Sequence, residues 1–154
     1  MADSAHEHIS IEAPLDDCYA AISDFERYAE WAPDIKATRV IARDDCGRAS
    51  EVEFRAAAMG RSVLVHLRYD YSAAPERLSW ELVEGDTVRR YEGSYQLTAL
   101  EGQSATTTDV DYELTVELLV PLPGFVKRRA ESKIMKAALP ELKHHVESGA
   151  AQHS

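Results

Sequence analysis

The sequence of 154 residues contains little cysteine, with Cys18 and Cys46 as its two thiols. Two thiols do not build the disulfide framework of a small secreted domain, so a reduced, cytoplasmic setting is expected. No apolar run approaches the roughly 20 residues that a membrane-spanning helix needs. No basic segment followed by an apolar stretch opens the chain, so no secretory signal is predicted.

Positive charge is also scarce, because 17 Lys and Arg stand against 27 Asp and Glu and give a formal charge of −10. Such a surface repels phosphate backbones, so nucleic acid is not expected as a partner. The segment 121–148 differs, with six Lys and Arg against three Asp and Glu. Its cluster Lys127, Arg128 and Arg129 indicates at most transient contact with an anionic membrane or an acidic protein. The alternative is an ordinary solvated helix face.

Motifs for metal, covalent or nucleotide chemistry are missing, since the chain has no HExxH, CxxC, GxSxG or phosphate loop. His144 and His145 are adjacent, so on a helix their side chains point about 100° apart and suit joint ligation poorly. Glu141 and His145 have i, i+4 spacing, but they are expected at the surface. No metal, cofactor or catalytic residue is therefore predicted.

The first 33 residues indicate one strand and two short helices. His6 to Glu12 alternates between apolar and polar residues, which is typical of a strand. Leu15, Cys18, Tyr19 and Ile22 then recur at helical spacing after Pro14. Ser23 and Glu26 have the spacing of a capping box, which predicts the start of a second helix.

From about residue 34 to 119 the pattern has period two and is divided by five turn signals. Six strands with short connections are predicted, and they must be antiparallel neighbours. A loop at Gly85-Asp86 predicts that Trp80 lies opposite Tyr91 and that Leu78 lies opposite Gly93. A bulge is expected where Val40 and Ile41 are adjacent. The alternation predicts a curved sheet with one solvent-exposed face, called the wet face below, and one buried apolar face, called the dry face.

A long helix is predicted from about Phe125 to Glu147, with an apolar stripe that includes Met135, Leu139, Leu142 and Val146. Pro140 is expected to kink it or to loosen the preceding turn. Only this helix is long enough to cover the dry face. The predicted fold is therefore α+β, with a curved seven-stranded antiparallel sheet around a long C-terminal helix and two short helices after the first strand.

A strongly bent sheet around one helix is expected to leave a gap lined by aromatic side chains. Apolar walls with phenol hydroxyls are typical of a pocket for a hydrophobic molecule with a few polar groups. Plain core packing is the alternative for each of these rings. Arg89 is expected either to hold a ligand oxygen or to be a solvated edge residue. The predicted ligand-binding residues are Trp31, Phe54, Val65, Leu67, Tyr69, Trp80, Arg89, Tyr91, Tyr95, Tyr112, Leu114 and Ile134.

The element order resembles that of the START-like (SRPBCC) superfamily. The stretch 24–33 (DFERYAEWAP), the run 91–97 (YEGSYQL), the segment 121–124 (PLPG) before the long helix and the segment 139–143 (LPELK) within it carry the resemblance. Within the superfamily the chain is similar to the polyketide cyclase/dehydrase and lipid-transport family, near the coenzyme Q-binding proteins. The resemblance implies a helix-grip fold with a hydrophobic cavity. Family members bind lipids, quinones, polyketides or plant hormones, and some catalyse aromatisation and cyclisation.

Three functions remain open at this point, and binding or transport of a hydrophobic small molecule is preferred. One alternative is a polyketide aromatase/cyclase or dehydrase that works without metal or covalent nucleophile. The other is a protein-interaction module whose own side chains fill the cavity. A single domain is expected over residues 6–148, with flexible termini at 1–5 and 149–154. Trp31, the Met59-Gly60 loop, Phe125 and Val126 are the expected elements of the cavity mouth.

Overall fold

Seven antiparallel strands of the described chain form one sheet in the order β1-β7-β6-β5-β4-β3-β2. The computed structural model describes residues 3–32, 35–58, 61–100, 107–119 and 123–148, without the side chains of 3, 58, 61, 127, 130, 131 and 133–138. The strands are β1 Asp3–Ile11, β2 Ile35–Arg43, β3 Ala49–Ala58, β4 Arg61–Asp70, β5 Arg77–Gly85, β6 Val88–Ala99 and β7 Thr108–Leu118. The strand pattern predicted from the alternation is thus confirmed.

Three short helical segments connect β1 to β2. Helix α1 spans Leu15–Ser23, a 3-10 turn spans Phe25–Arg27, and helix α2 spans Tyr28–Trp31. The capping box predicted at Ser23 is wrong, because its hydroxyl donates a hydrogen bond back to the carbonyl of Tyr19 at 2.7 Å. Ser23 therefore ends α1, and the second helix begins as a tight 3-10 turn.

Helix α3 spans Gly124–Glu147 and packs against the sheet. Leu139, Leu142 and Val146 of its predicted stripe are buried, whereas the side chain of Met135 lies outside the described residues. The helix continues through Pro140. Near its C-terminus, the Lys143 ammonium donates to the carbonyl of Ser10 at 2.7 Å. This contact fixes the last turns of α3 to the end of β1.

The register agrees with the sequence pattern in one hairpin and differs in another. In β3–β4, Phe54 pairs with Val65 and Val52 with Leu67, as a loop at residues 59 and 60 requires. In β5–β6, Trp80 pairs with Gly93 rather than with Tyr91, so the predicted register is wrong by two residues. The ladder of this hairpin runs only from Arg77–Gln96 to Trp80–Gly93, so the strands are not paired up to the turn, where Thr87 has a φ of 61°.

Two further details of the sheet match or extend the sequence pattern. The expected irregularity in β2 is confirmed, since the pairing with β3 shifts between Val40 and Ala42. Strand β1 begins at Asp3, three residues before the start of the alternation. Within the described ranges, no helix is both long enough and apolar enough to cross a membrane.

Candidate ligand-binding site

A chain of touching aromatic rings lies on the dry face of the sheet and under the short helices. Successive ring centroids are between 4.4 and 6.1 Å apart, and most ring pairs are tilted. The chain of rings runs from the short helical segments across β3, β4, β5 and β6 to β7, and each of these strands contributes one ring. We call it the aromatic cluster, and it consists of Phe25, Tyr28, Trp31, Phe54, Tyr69, Trp80, Tyr95 and Tyr112.

Both tryptophans of the chain belong to this cluster, and each is only 7% exposed. Their indole Nε1 atoms are buried and have no hydrogen-bond partner among the residues that the structure describes. A buried donor without an acceptor costs about 1–3 kcal/mol. The site therefore offers two N–H groups that an oxygen atom of a bound molecule would satisfy.

Trp80 has a specific neighbour that fixes its ring. It pairs across the sheet with Gly93, and a Cβ atom added there would lie 3.0 Å from Cζ2 of the indole. The same Cβ would overlap the carbonyl oxygen of Glu113. Only glycine allows this close approach, so the absence of a side chain at Gly93 gives the indole its place.

The tyrosine hydroxyls remain protonated and so serve as hydrogen-bond donors. Burial raises the pKa of Tyr69 and Tyr112 well above the ordinary value, and it raises the pKa of Tyr91 to about 12. Tyr112 and Tyr91 are hydrogen-bonded to each other through their hydroxyls, and the bond lowers the pKa of Tyr91 while raising that of Tyr112. The two phenols therefore form a pair inside the site, with Tyr91 as its partly exposed member.

Tyr28 is already engaged, because its hydroxyl donates to the carbonyl of Ile22. This bond links α2 to the end of α1 and holds the Tyr28 ring in the cluster. The hydroxyl of Tyr28 is therefore less available to a ligand than that of Tyr91.

His145 lies beside the cluster, although its sequence spacing predicted a surface position. Its side chain is 7% exposed, and its ring stacks on Trp31 with centroids 5.8 Å apart. Burial, helped by the nearby positive charge of Arg27, lowers the pKa of His145. The imidazole is therefore neutral at pH 7. Its spacing of three residues from Leu142 was the signal that could have placed it on the buried stripe.

The structure brings most of the predicted site residues together. Those that are buried on the dry face or beneath α2 are Trp31, Phe54, Val65, Leu67, Tyr69, Trp80, Tyr95, Tyr112 and Leu114. Tyr91 is partly exposed. Sequence reasoning missed Phe25 and Tyr28 as wall residues, since their rings reach the sheet only through the docking of the short helices.

Two predicted site residues stand apart from this group. The side chain of Arg89 is 67% exposed and lies 3.9 Å from the carboxylate of Glu117. The side chain of Ile134 lies outside the described residues, as do those of its neighbours 133–138. The side of the predicted cavity that α3 would form therefore also lies outside the described residues.

The expected mouth elements have different environments. Trp31 is buried, Phe125 is 63% exposed and Val126 is half-buried. The Met59-Gly60 loop lies outside the described residues. Phe125 and Val126 belong to the first turn of α3, which begins at the same end of the sheet as the β5–β6 turn.

A recess of about 720 Å³ lies on the opposite, wet face of the sheet. Five carboxylates and three guanidinium groups line it, among them Asp44, Arg48, Arg68 and Glu81. Several of these charges are paired with each other; Arg48, for example, lies 2.9 Å from Asp44. Tyr69, Trp80 and Leu114 of the predicted site also line this recess, but the charged groups around them suit a wholly apolar molecule poorly. Within the described ranges, no group of three His, Cys, Asp or Glu side chains is placed to hold a metal ion.

Several solved structures share this fold. A START superfamily protein from Mycobacterium smegmatis has a TM-score of 0.82 at 23% identity, covering 94% of this chain and 97% of that one. The Zhui aromatase/cyclase from Streptomyces sp. R1128 has a TM-score of 0.81 at 13% identity, covering 97% and 96%. A protein from Thermus thermophilus has a TM-score of 0.74 at 26% identity, covering 99% of both chains.

Sequence comparison identifies the family. No curated protein sequence matches the chain significantly. The family model described as polyketide cyclase/dehydrase and lipid transport matches residues 3–147, which is nearly the whole chain. This match shows that the chain belongs to the polyketide cyclase/dehydrase and lipid transport family, and its fold is the one seen in the START superfamily protein from Mycobacterium smegmatis.

Proposed function

We propose that the protein binds or transports a hydrophobic small molecule, such as a lipid, quinone or polyketide, between the dry face of the sheet and α3. The family and fold are consistent with a hydrophobic ligand. The predicted set of ligand-binding residues, with Arg89 and Ile134 included, is part of this proposal, as is a single domain over residues 6–148. Apolar burial drives the binding, at about 25 cal/mol per Å² of area removed from water.

The observation that carries the proposal is the pair of buried indole N–H groups at Trp31 and Trp80. Plain core packing does not explain buried N–H donors without acceptors, because each such donor destabilises the fold. A ligand with carbonyl or ether oxygens would accept from them and from the tyrosine hydroxyls. This chemistry fits quinones, polyketides and lipid esters better than plain hydrocarbons.

Intrinsic fluorescence provides a direct test, because Trp31 and Trp80 are the two tryptophans of the chain. The protein is titrated with a short-chain benzoquinone, a fatty acid and an aromatic polyketide, and the variants Trp31→Phe and Trp80→Phe show which indole each ligand reaches. We expect saturable quenching with at least one of these compounds. Native mass spectrometry checks the stoichiometry of ligand binding, and it also shows whether the purified protein already carries a hydrophobic ligand. No retained compound in either experiment would leave a filled interior and an interaction module as the better interpretation.

A second candidate function, the aromatase/cyclase activity, is favoured by the neutral imidazole of His145 beside Trp31. An unprotonated histidine can accept a proton from an activated carbon of a poly-β-keto chain. The tyrosines suit this role poorly, since burial raises their pKa values. The Streptomyces protein is named an aromatase/cyclase, and the two chains share the fold.

Turnover of a poly-β-keto substrate would distinguish the two functions. If the protein is an enzyme, His145→Asn should abolish product formation while the fluorescence titration still shows binding. The exposed neighbour provides the control, because His144→Asn should leave both readouts unchanged. If the wild type forms no product but binds the compound, the carrier function alone is supported.

A further inference from the structure

The large apolar side chains that remain exposed are unevenly distributed over the described surface. Among the described residues, six are exposed by more than a third. Four of the six lie near one end of the sheet, where β4 begins and β5 and β7 end. These four, which we call the apolar rim, are Leu64 at 36%, Val83 at 39%, Leu119 at 53% and Phe125 at 63%.

Backbone hydrogen bonds hold the rim around the turn between β5 and β6. On one side, the N–H of Leu64 donates to the carboxylate of Asp86 at 2.9 Å, and the N–H of Asp86 donates to the carbonyl of Leu64 at 3.1 Å. On the other side, the N–H of Leu119 donates to the carbonyl of Thr87 at 2.7 Å. Val83 precedes this turn and Phe125 lies in the first turn of α3. The rim is therefore built by three strands and one helix start.

Arginines accompany the rim in both the sheet and the helix. Arg89 and Arg90 follow the turn, and Arg128 and Arg129 come one turn of helix after Phe125. All four side chains are exposed. Arg89 lies 3.9 Å from Glu117 and Arg90 lies 2.9 Å from Glu92. The turn itself carries the exposed carboxylates of Glu84 and Asp86. The positive charge that this end offers to an anionic surface therefore comes from the two helix arginines and not from the sheet.

The position of the helix arginines is unfavourable for the helix itself. The first turn of α3 contains no acidic residue. Cations near the N-terminus of a helix oppose its dipole, most strongly in the first turn and less in the second, where Arg128 and Arg129 lie. The chain as a whole carries a formal charge of −10. Two exposed arginines that gain nothing from the helix dipole, in a protein that is otherwise acidic, indicate a binding role for an anionic surface.

We propose that the apolar rim and Arg128 and Arg129 dock on an anionic lipid bilayer. Guanidinium groups pair with lipid phosphates, while exposed Phe and Leu side chains enter the boundary between headgroups and acyl chains. A nucleic acid would gain nothing from Leu64, Val83 and Leu119, and the acidic remainder would repel it. In this docking, only the end of the molecule that carries the apolar rim contacts the bilayer. The docking depends on the rim alone and not on what the interior binds.

Negative charge at the opposite end of the sheet supports an orientation in which the apolar rim faces the bilayer. Asp16 and Asp17 open α1 there, and Asp45 lies in the turn between β2 and β3. These carboxylates are repelled by an anionic bilayer, so they turn the rim toward it. Attraction at one end and repulsion at the other give the protein a single preferred way to approach the membrane.

Sedimentation with lipid vesicles tests the proposal on the whole chain. The vesicles contain phosphatidylcholine alone or phosphatidylcholine with about a third of phosphatidylglycerol, at low and at high salt. We expect binding to the anionic vesicles, weaker binding in salt, and little binding to the neutral ones. Arg128→Gln with Arg129→Gln should weaken binding about 30-fold, from about 1 kcal/mol for each arginine. Phe125→Ser should weaken it about tenfold.

Matched variants elsewhere on the surface serve as controls. Arg39→Gln with Arg68→Gln removes the same charge from exposed positions of the sheet, and Leu100→Ser removes an exposed apolar side chain at the opposite end. Both should bind as the wild type does, and thermal unfolding checks that every variant is folded. Equal binding to neutral and anionic vesicles, or full binding by the rim variants, would overturn the proposal. Binding to a purified acidic carrier protein but not to vesicles would overturn it as well, in favour of a protein partner. The fluorescence titration without vesicles keeps this result separate from the interior ligand.

Discussion

The indole ring of Trp31 stacks on the imidazole ring of His145, with centroids 5.8 Å apart and planes inclined by 22°. Each side chain is 7% exposed. The contact joins α2, at one end of the aromatic cluster, to the last turns of α3. An ionisable ring thus forms part of the interior where the long helix meets the short one.

The stack makes the stability of the protein depend on pH. Burial comes first among the causes that lower the pKa of His145, and Arg27 adds to it, while Glu30 and Asp24 oppose it. The unfolded chain therefore binds this proton more tightly than the folded chain does. Stability is complete above the ordinary pKa of 6.5 and is lost as the pH falls through the lower folded value.

We expect urea midpoints to fall between about pH 7.5 and pH 5 in the wild type, and to fall less in His145→Phe, which keeps an aromatic ring without titrating. His144→Asn should retain the wild-type dependence, because this neighbour is exposed. An unchanged pH dependence in His145→Phe would show that another group is responsible.

The two cysteines differ in a way that a thiol reagent can detect. Cys18 is fully buried, and burial raises its pKa to about 11, whereas Cys46 is exposed in a turn. Because the thiolate is the reactive form, one thiol should react with Ellman's reagent in the native protein and both in denaturant. Cys46→Ser should abolish the native reaction, and Cys18→Ser should leave it intact. Two rapidly reacting thiols in the native wild type would contradict the burial of Cys18.

The faces of the sheet could be predicted from the sequence more reliably than its pairing. Trp80 lies opposite Gly93 instead of Tyr91, yet it remains on the dry face, because a shift of two residues preserves the alternation. The alternation is set by each strand alone. The register of this hairpin depends on the turn, where Thr87 adopts a left-handed conformation that no sequence signal indicated.

The residues of the candidate site also divide into those that strand alternation could place and those that it could not. Tyr69, Trp80 and Tyr95 could be placed on the dry face because strands alternate strictly. The spacing from Leu142 could place His145 on the buried side of α3, but its contact with Trp31 could not be predicted, nor could the contact of Phe25 with Tyr69, since both depend on how the helical segments dock rather than on a local period. Tertiary contacts between helices and sheet therefore decide which polar groups become part of the interior.

The close approach at Gly93 should make this position intolerant of any side chain. In Gly93→Ala, the new Cβ would overlap the carbonyl oxygen of Glu113 and press on the ring of Trp80. We expect a loss of about 3 kcal/mol in the free energy of unfolding, measured in urea. Gly124→Ala is the matched control, because nothing lies within 4 Å of the position its new Cβ would take and the residue is helical. This variant should be unchanged or stabilised by up to about 1 kcal/mol. A wild-type midpoint for Gly93→Ala would show that β6 and β7 separate easily here.

The hydroxyl of Tyr91 should orient a ligand oxygen. It pairs with the hydroxyl of the buried Tyr112, and Tyr91 is the partly exposed member of the pair, so its hydroxyl is the one that a ligand oxygen can reach. Tyr91→Phe should weaken the binding of a quinone found to quench the tryptophans by about fivefold, equivalent to about 1 kcal/mol for one hydrogen bond. An alkane chain of similar length has no acceptor, so its affinity should not change.

Tyr71 provides the control for this experiment. Its hydroxyl donates to the carbonyl of Ala49 at 2.7 Å, and the guanidinium of Arg48 lies 4.7 Å from its ring centroid. Tyr71→Phe should therefore lower the stability by about 1 kcal/mol and leave the quinone affinity unchanged. If Tyr91→Phe and Tyr71→Phe weaken quinone binding equally, the effect arises from general loosening of the fold, and the hydroxyl of Tyr91 does not contact the ligand.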